Sequence, residues 1–142
     1  MPEPGRVLGL DPGDARIGVA ISDAARRVAV PFGTIRVGQP PGELKALAAI
    51  VADNDVSVVV IGLPRELSGK EGPRAAHARA FGSAIETSIE PPIEFQDERL
   101  TTVQAERLLR DAGVPGKERR ANVDQSAATL ILQAWLDRQP PA

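Results

Sequence analysis

The chain has 142 residues, a formal net charge of −2, 42% hydrophobic and 25% charged residues, one histidine and no cysteine. That composition belongs to a folded domain and excludes disorder, thiolate catalysis, zinc–thiolate and iron–sulfur sites, and a basic footprint for nucleic acid at the level of the whole chain. No apolar run approaches the ~20 residues that cross a bilayer, and MPEPGR at the start carries no secretory signature, so the expectation is one cytoplasmic domain over residues 1–142 with a short flexible tail from about 138.

The first predicted strand, about 6–11, places Val7, Gly9 and Asp11 on one face and Leu8 and Leu10 on the other. Pro12-Gly13 breaks it with a turn, because proline presets its own φ and glycine accepts a positive one. A second strand, about 16–22, alternates Ile17, Val19 and Ile21 with Gly18, Ala20 and Ser22. The small face leaves room for another element to approach closely. A third strand, about 28–37, contains Pro31 and Gly33, which predict a bulge or an irregular edge.

The pattern then changes. Leu44, Leu47, Ala48 and Val51 form a helical stripe, and Val56 to Ile61 is an almost unbroken apolar run, the mark of a parallel strand buried on both faces. The dozen residues GLPRELSGKEGP follow as a loop long enough to suggest a working role. A helix over roughly 74–89 carries Ala78, Phe81 and Ile85, and Ile93 to Glu98 alternates as a half-exposed strand. Thr101 and Gln104 have capping-box spacing, and Gly113 stands in a C-cap position, bounding a further helix. GKERR, 116–120, reads as a basic loop before a last helix, roughly 123–137, with Asn122 as N-cap and Ala127, Leu130, Ile131 and Ala134 buried.

Three antiparallel strands followed by alternating helices and strands (β-β-β-α-β-α-β-α-α) predict an α/β fold of the ribonuclease H-like class: a mixed five-stranded sheet with helices on both faces. Parallel strands deliver their carboxyl ends to one edge, and sites gather there. Asp11, Asp97-Glu98 and Asp124 are the acids this order brings to that edge. Each has a local explanation: a turn residue before Pro-Gly for Asp11, and acids favoured at helix N-termini for the other two. Three unrelated local reasons converging on one edge are less economical than a shared site. Carboxylates with no cysteine and a lone histidine would hold a hard ion such as Mg²⁺ or Mn²⁺, and a pair of such ions activates water and stabilises the leaving oxygen of a phosphodiester. Alternation groups Glu98 with Glu94 and Gln96, and Asp97 with Ile93 and Phe95, so spacing leaves both acids open. His77, Arg26-Arg27 and Lys117 to Arg120 read as solvated, with phosphate contact as the alternative for the basic runs.

Four segments in order, LGLDPGDARIGVAISD, VVIGLPRELSGKEGP, DERLTTVQAERLL and VDQSAATLILQAWL, resemble the YqgF/RuvX family, which is described as Holliday junction resolvases or pre-16S ribosomal RNA nucleases. The resemblance runs end to end, and its DERLTT block is the most specific part. It implies a nuclease using Mg²⁺ or Mn²⁺, with two ions held by Asp11, Glu98 and Asp124 as catalytic metal ligands. It also implies Arg16 and Arg99 as nucleic-acid contacts. The partner would be structured RNA or a four-way DNA junction, with no membrane, and the chain a monomer or a homodimer. The family differs here from classical junction resolvases, which carry an acid at the end of the fourth strand where this chain has Gly62-Leu63-Pro64, a difference that counts against junction cleavage more than against nuclease chemistry. A non-catalytic nucleic-acid-binding module is the reading from another class, disfavoured by the intact acids.

Overall fold

The computed structural model describes residues 5–38, 42–64, 68, 70–97 and 116–139, with 116–126 described by backbone alone. Five strands form one sheet: β1 (Arg6–Pro12), β2 (Arg16–Ser22), β3 (Ala29–Arg36), β4 (Val56–Leu63) and β5 (Ile93–Asp97). Three helices accompany them: α1 (Glu43–Asp53), α2 (Pro73–Glu86) and α3 (Gly116–Asp137). The strand order is β3-β2-β1-β4-β5. β1 runs antiparallel to β2 and parallel to β4, and β4 runs parallel to β5. This is the mixed sheet expected of the ribonuclease H-like class, with β1 at its centre. The helix expected over 101–113 lies outside the described residues.

Alternation along the strands divides the core into two layers. Leu8, Leu10, Ile17, Val19, Val59, Ile61 and Leu63 pack with Leu47 of α1 and with Ala75, Ala78 and Ile85 of α2. Val7, Ala20 and Val60 face the other way, against Ala128, Ile131, Leu132 and Trp135 of α3. β4 is thus covered on both faces, which is why it reads as a continuous apolar run. The small face of β2 receives α3, as its residue sizes predict. The close approach is sharpest at Gly9, where an added Cβ would lie 2.7 Å from Leu132 Cβ and 3.2 Å from the Ala128 carbonyl oxygen.

β3 is the free edge of the sheet. Its register against β2 slips between Val19 and Ala20, leaving Phe32 as the extra residue of a bulge beside Pro31. Val30 and Phe32 are exposed along it, as is Val28 just before it, and the proline and the bulge are the devices that blunt such an edge against further pairing. At the amino end of β3, the Gln133 side chain accepts from the Ala29 amide at 2.9 Å and donates to the Arg27 carbonyl at 3.1 Å. At the far side of the sheet, Trp135 Nε1 donates to Glu94 Oε1 and Arg138 donates to Gln96 Oε1. α3 therefore fastens both edge strands.

Several expectations are corrected. GKERR is not a loop: α3 begins at Gly116, so Asn122 is inside the helix and not its N-cap. Lysine, glutamate and arginine are good helix formers, and only the lack of apolar periodicity made the segment read as loop. The buried stripe of α3 is Ala127, Ala128, Ile131, Leu132, Trp135 and Leu136, while Leu130 and Ala134 are only half-buried. β4 continues through Gly62 to Leu63, both paired with β5, which shortens the following loop. α2 starts at Pro73 in the first turn, where the missing N–H costs nothing, and ends at Glu86. Arg26 is half-buried with φ 58°, donating to the Gly5 carbonyl at 2.8 Å and to Ser57 Oγ, so it is a tie between the β2–β3 turn and the amino ends of β1 and β4.

Candidate functional site

The carboxyl ends of β1, β4 and β5 share one edge of the sheet. Asp11 is the penultimate residue of β1, half-buried and opposite Gly18 of β2. Its face follows from its neighbours: Val7 packs on α3 and Gly9 touches it, so Asp11, two residues on, belongs to the α3 face. The turn beyond it is held by the Gly13 amide donating to the Arg16 carbonyl at 2.8 Å. A Cβ on Gly13 would meet that same oxygen at 2.7 Å, so this turn requires glycine.

Of the pair Asp97-Glu98, the structure gives the face of the sheet on which Asp97 falls. Glu94 and Gln96 bond to Trp135 and Arg138 of the α3 side, whereas Ile93 and Phe95 pack into the α1–α2 layer. Asp97, paired with Leu63 at the end of β5, alternates onto the α1–α2 face, away from Asp11. Glu98 and Arg99 lie outside the described residues. Asp124 is placed by backbone within α3, one helical turn before Ala128, whose carbonyl abuts Gly9. The fold thus brings the helix bearing Asp124 across β1, the strand that carries Asp11 near its carboxyl end.

Among the described residues no acid stands between Asp11 and β5. β1 and β4 pair through Leu10 and Ile61, so the next residue of β4, Gly62, neighbours Asp11, and Gly62 in turn pairs with Gln96. Gln96 is 7% exposed. It is a polar side chain on Asp11's face that sequence alternation marked only as polar.

The flanks of the edge differ in charge. On the α1–α2 side, Arg79 of α2 makes a two-pronged pair with Glu71, at 2.6 and 2.8 Å, and lies 5.1 Å from the centre of the Phe95 ring. The Glu71 side-chain hydrogen bond holds the Arg79 pKa above its ordinary value. On the β2 side, Arg16 is half-buried at the start of its strand, and Arg36 of β3 is its cross-strand partner. Sequence reading passed over Arg36, because its nearness to the site depends on a strand register that slips by one residue. His77 is exposed on α2, as expected.

Among the described residues no three histidine, aspartate or glutamate side chains converge on a common point, and of the three acids expected to hold metal only the Asp11 side chain is described. The donor chemistry fits a hard divalent ion. A carboxylate half-buried at a strand end supplies oxygen, the chain has no thiol, and its one imidazole is exposed elsewhere. Among the described residues no helix is long and apolar enough to cross a membrane.

Comparison with known proteins finds relatives that align over most of the chain. A protein of a Nocardioides species named "Putative pre-16S rRNA nuclease" is 49% identical over 138 residues, covering 93% of this chain and 87% of the relative. A protein of the same name from Mycobacterium tuberculosis is 45% identical over 139 residues, covering 97% and 82%. Among solved structures, Thermus thermophilus RuvC in complex with a Holliday junction substrate aligns with a TM-score of 0.46 at 12% identity, over 97% of this chain and 99% of that one. The sequence model of the family described as "RuvX: Holliday junction resolvase" matches residues 5–138, and the chain belongs to the RuvX family.

Proposed function

We propose that this protein is a cytoplasmic nuclease that hydrolyses phosphodiester bonds of structured RNA, with the precursor of 16S ribosomal RNA as its substrate. The observation that carries this reading is Asp11: a carboxylate at the carboxyl end of the central strand, on the face crossed by the helix that bears Asp124, in a chain matched to its family over residues 5–138. Asp11, Glu98 and Asp124 would hold Mg²⁺ or Mn²⁺. Such an ion, when bound, supplies a lowered water pKa and charge stabilisation for the departing oxygen. The protein's own part is to fix the carboxylates on rigid elements, a strand end and a helix, so that the scissile phosphate meets them in one orientation. Arg16 and Arg99 contribute positive charge for the nucleic-acid backbone, which positions a substrate without reading its sequence.

Cleavage of four-way DNA junctions is the second reading, favoured by the family's description. Gly62, buried and next along β4 from the Leu10 partner Ile61, opens the Gly62-Leu63-Pro64 end of that strand, where the resemblance gives classical junction resolvases an acid and this family none, and that difference supports RNA as the substrate. The test is parallel digestion of 16S precursor RNA and a four-way DNA junction, in Mg²⁺ and in Mn²⁺, by wild type and Asp11→Asn. Wild type should cut the RNA in preference to the junction. The variant should retain its circular dichroism and thermal midpoint and cut neither. An Asp11→Asn protein as active as wild type would refute the assignment of Asp11.

A further inference from the structure

The side of Asp11 that faces β2 and β3 carries an arrangement that chain order alone does not reveal. Asp11 pairs with Gly18, and Gly18 pairs with Thr34. Two residues along, Arg16 pairs with Arg36, and the Val37 amide donates to the Ala15 carbonyl at 3.0 Å, carrying the pairing one step further. Cross-strand partners share a face, and so do residues two apart. Asp11, Thr34, Arg16 and Arg36 therefore all stand on the α3 face, at the carboxyl edge of β1. Their opposite-face neighbours, Ile17 and Ile35, pack into the α1–α2 layer.

Two arginines directly opposite each other in an antiparallel pair repel, and such pairs destabilise a sheet. Arg36 is exposed and forms no ion pair among the described residues. The register fixes two guanidinium stems about 5 Å apart at the backbone, the spacing of neighbouring strands. A planar guanidinium presents paired N–H donors that suit phosphate oxygens, and two of them can grip a single phosphate or consecutive ones. By strand spacing and rise, Arg36 lies about 12 Å from Asp11 between Cα positions, on the order of three nucleotides at the ~3.4 Å rise of a stacked strand.

We propose that Arg16 and Arg36, with Thr34 beside them, form a phosphate seat that holds the substrate backbone over β2 and β3, about three nucleotides from the bond cleaved at Asp11. The proposal rests on the nuclease reading for its substrate, and its ligand is a phosphodiester backbone. Arg36 is a positioning residue: it contacts a phosphate remote from the reacting atoms. Its contribution is the same in the ground and transition states, so its loss raises KM and leaves kcat near wild type.

The experiment measures binding separately from cutting. A fluorescein-labelled RNA hairpin with a single-stranded tail, and a four-way DNA junction of similar length, are titrated over a salt series without divalent metal. The proteins are wild type, Arg36→Ala, Arg36→Lys and Arg27→Ala, the last altering an exposed arginine at the opposite end of the sheet. For the RNA, Arg36→Ala should weaken binding roughly tenfold at low salt and reduce the slope of log K against log salt by about one. Arg36→Lys should keep the wild-type slope, and Arg27→Ala should match wild type. The same effect on both probes identifies a general backbone seat, and an effect on RNA alone a seat shaped for RNA. The thermal midpoint of Arg36→Ala should stay near wild type, since Arg36 is exposed and forms no ion pair among the described residues. Wild-type affinity and slope in Arg36→Ala, or a wild type that binds neither probe, would overturn the seat. RNA that is bound with the expected slopes but never cut when metal is added overturns the nuclease reading and leaves the seat standing.

Discussion

Replacing Gly9 with alanine probes how closely the candidate site depends on the packing beneath it. The new methyl would sit 2.7 Å from Leu132 Cβ and 3.2 Å from the Ala128 carbonyl oxygen. Neither is the far end of a flexible side chain, so neither can swing aside, and α3 must retreat as a body by about 1 Å to restore ordinary contact. Overpacking of this kind costs about 1–3 kcal/mol. Against it stand roughly 0.8 kcal/mol for burying one more carbon and about 0.4–1 kcal/mol from the less flexible unfolded chain. The net is a loss of about 0.5 kcal/mol, or a fall of about 2 °C in thermal midpoint for a domain of this size. Activity should suffer far more. α3 also carries Asp124, and a misplacement of ~1 Å at a reacting centre can cost ~100-fold. The assay is circular dichroism melting combined with single-turnover RNA cleavage at 25 °C, where the variant remains folded. Gly82→Ala serves as the contrast: its nearest neighbours are Phe95 Cζ at 2.9 Å and Ile61 Cδ1 at 3.3 Å, both far ends that can turn away, and a helix gains from the exchange. It should leave stability and cutting close to wild type. Gly9→Ala with wild-type melting and wild-type cutting would refute the argument that α3 position and activity are coupled through this contact.

Two further substitutions test ties at the amino end of the sheet. Ser22, 1% exposed, accepts the Val7 amide at 2.9 Å through its hydroxyl and donates to the Asp23 carbonyl. Ser22→Ala strands a buried N–H and should cost about 1–3 kcal/mol in urea denaturation, whereas an unchanged midpoint would mean that the amide finds another acceptor. Asp23 accepts the Val28 and Arg27 amides at 3.0 and 2.7 Å, and these bonds hold its pKa below the ordinary 3.8. Because the folded-state value is the lower one, the stabilisation is present above the ordinary value and is lost as pH falls through the depressed one. The midpoint difference between wild type and Asp23→Ala should hold steady above about pH 5 and shrink below 3.8; a difference that grows in acid would reverse the sign of the assignment.

The sheet was legible because its strands report their surroundings. The alternation of β1 and β2 and the unbroken run of β4 foretell which faces are covered, and Pro31 with Gly33 foretells the irregular edge. The site was legible in part. Asp11 could be assigned to the edge because strand ends are marked by Pro12-Gly13. The side of the sheet on which Asp97 falls needed the contacts of Glu94 with Trp135 and of Gln96 with Arg138, which join residues about 40 positions apart. Arg36 was illegible for a related reason: the bulge at Phe32 sets its partner, and a one-residue change of register would turn it to the other face. The early start of α3 was missed because charged helix formers without apolar neighbours carry no periodic signal.

The fastening of α3 across the sheet has a consequence for how the protein is made. The Ala29–Gln133 bond closes a span of 104 residues, and the surface of Val7, Ala20 and Val60 has no cover until the stripe from Ala128 to Leu136 has been synthesised. A nascent chain therefore carries a bare apolar face until the stripe from Ala128 to Leu136 emerges, and long-range closures of this kind form slowly. The helix that ends this exposure also delivers Asp124. A truncated or half-folded chain would thus lack both the cover and the helix that bears Asp124, so that under the proposed function cutting would require the completed fold.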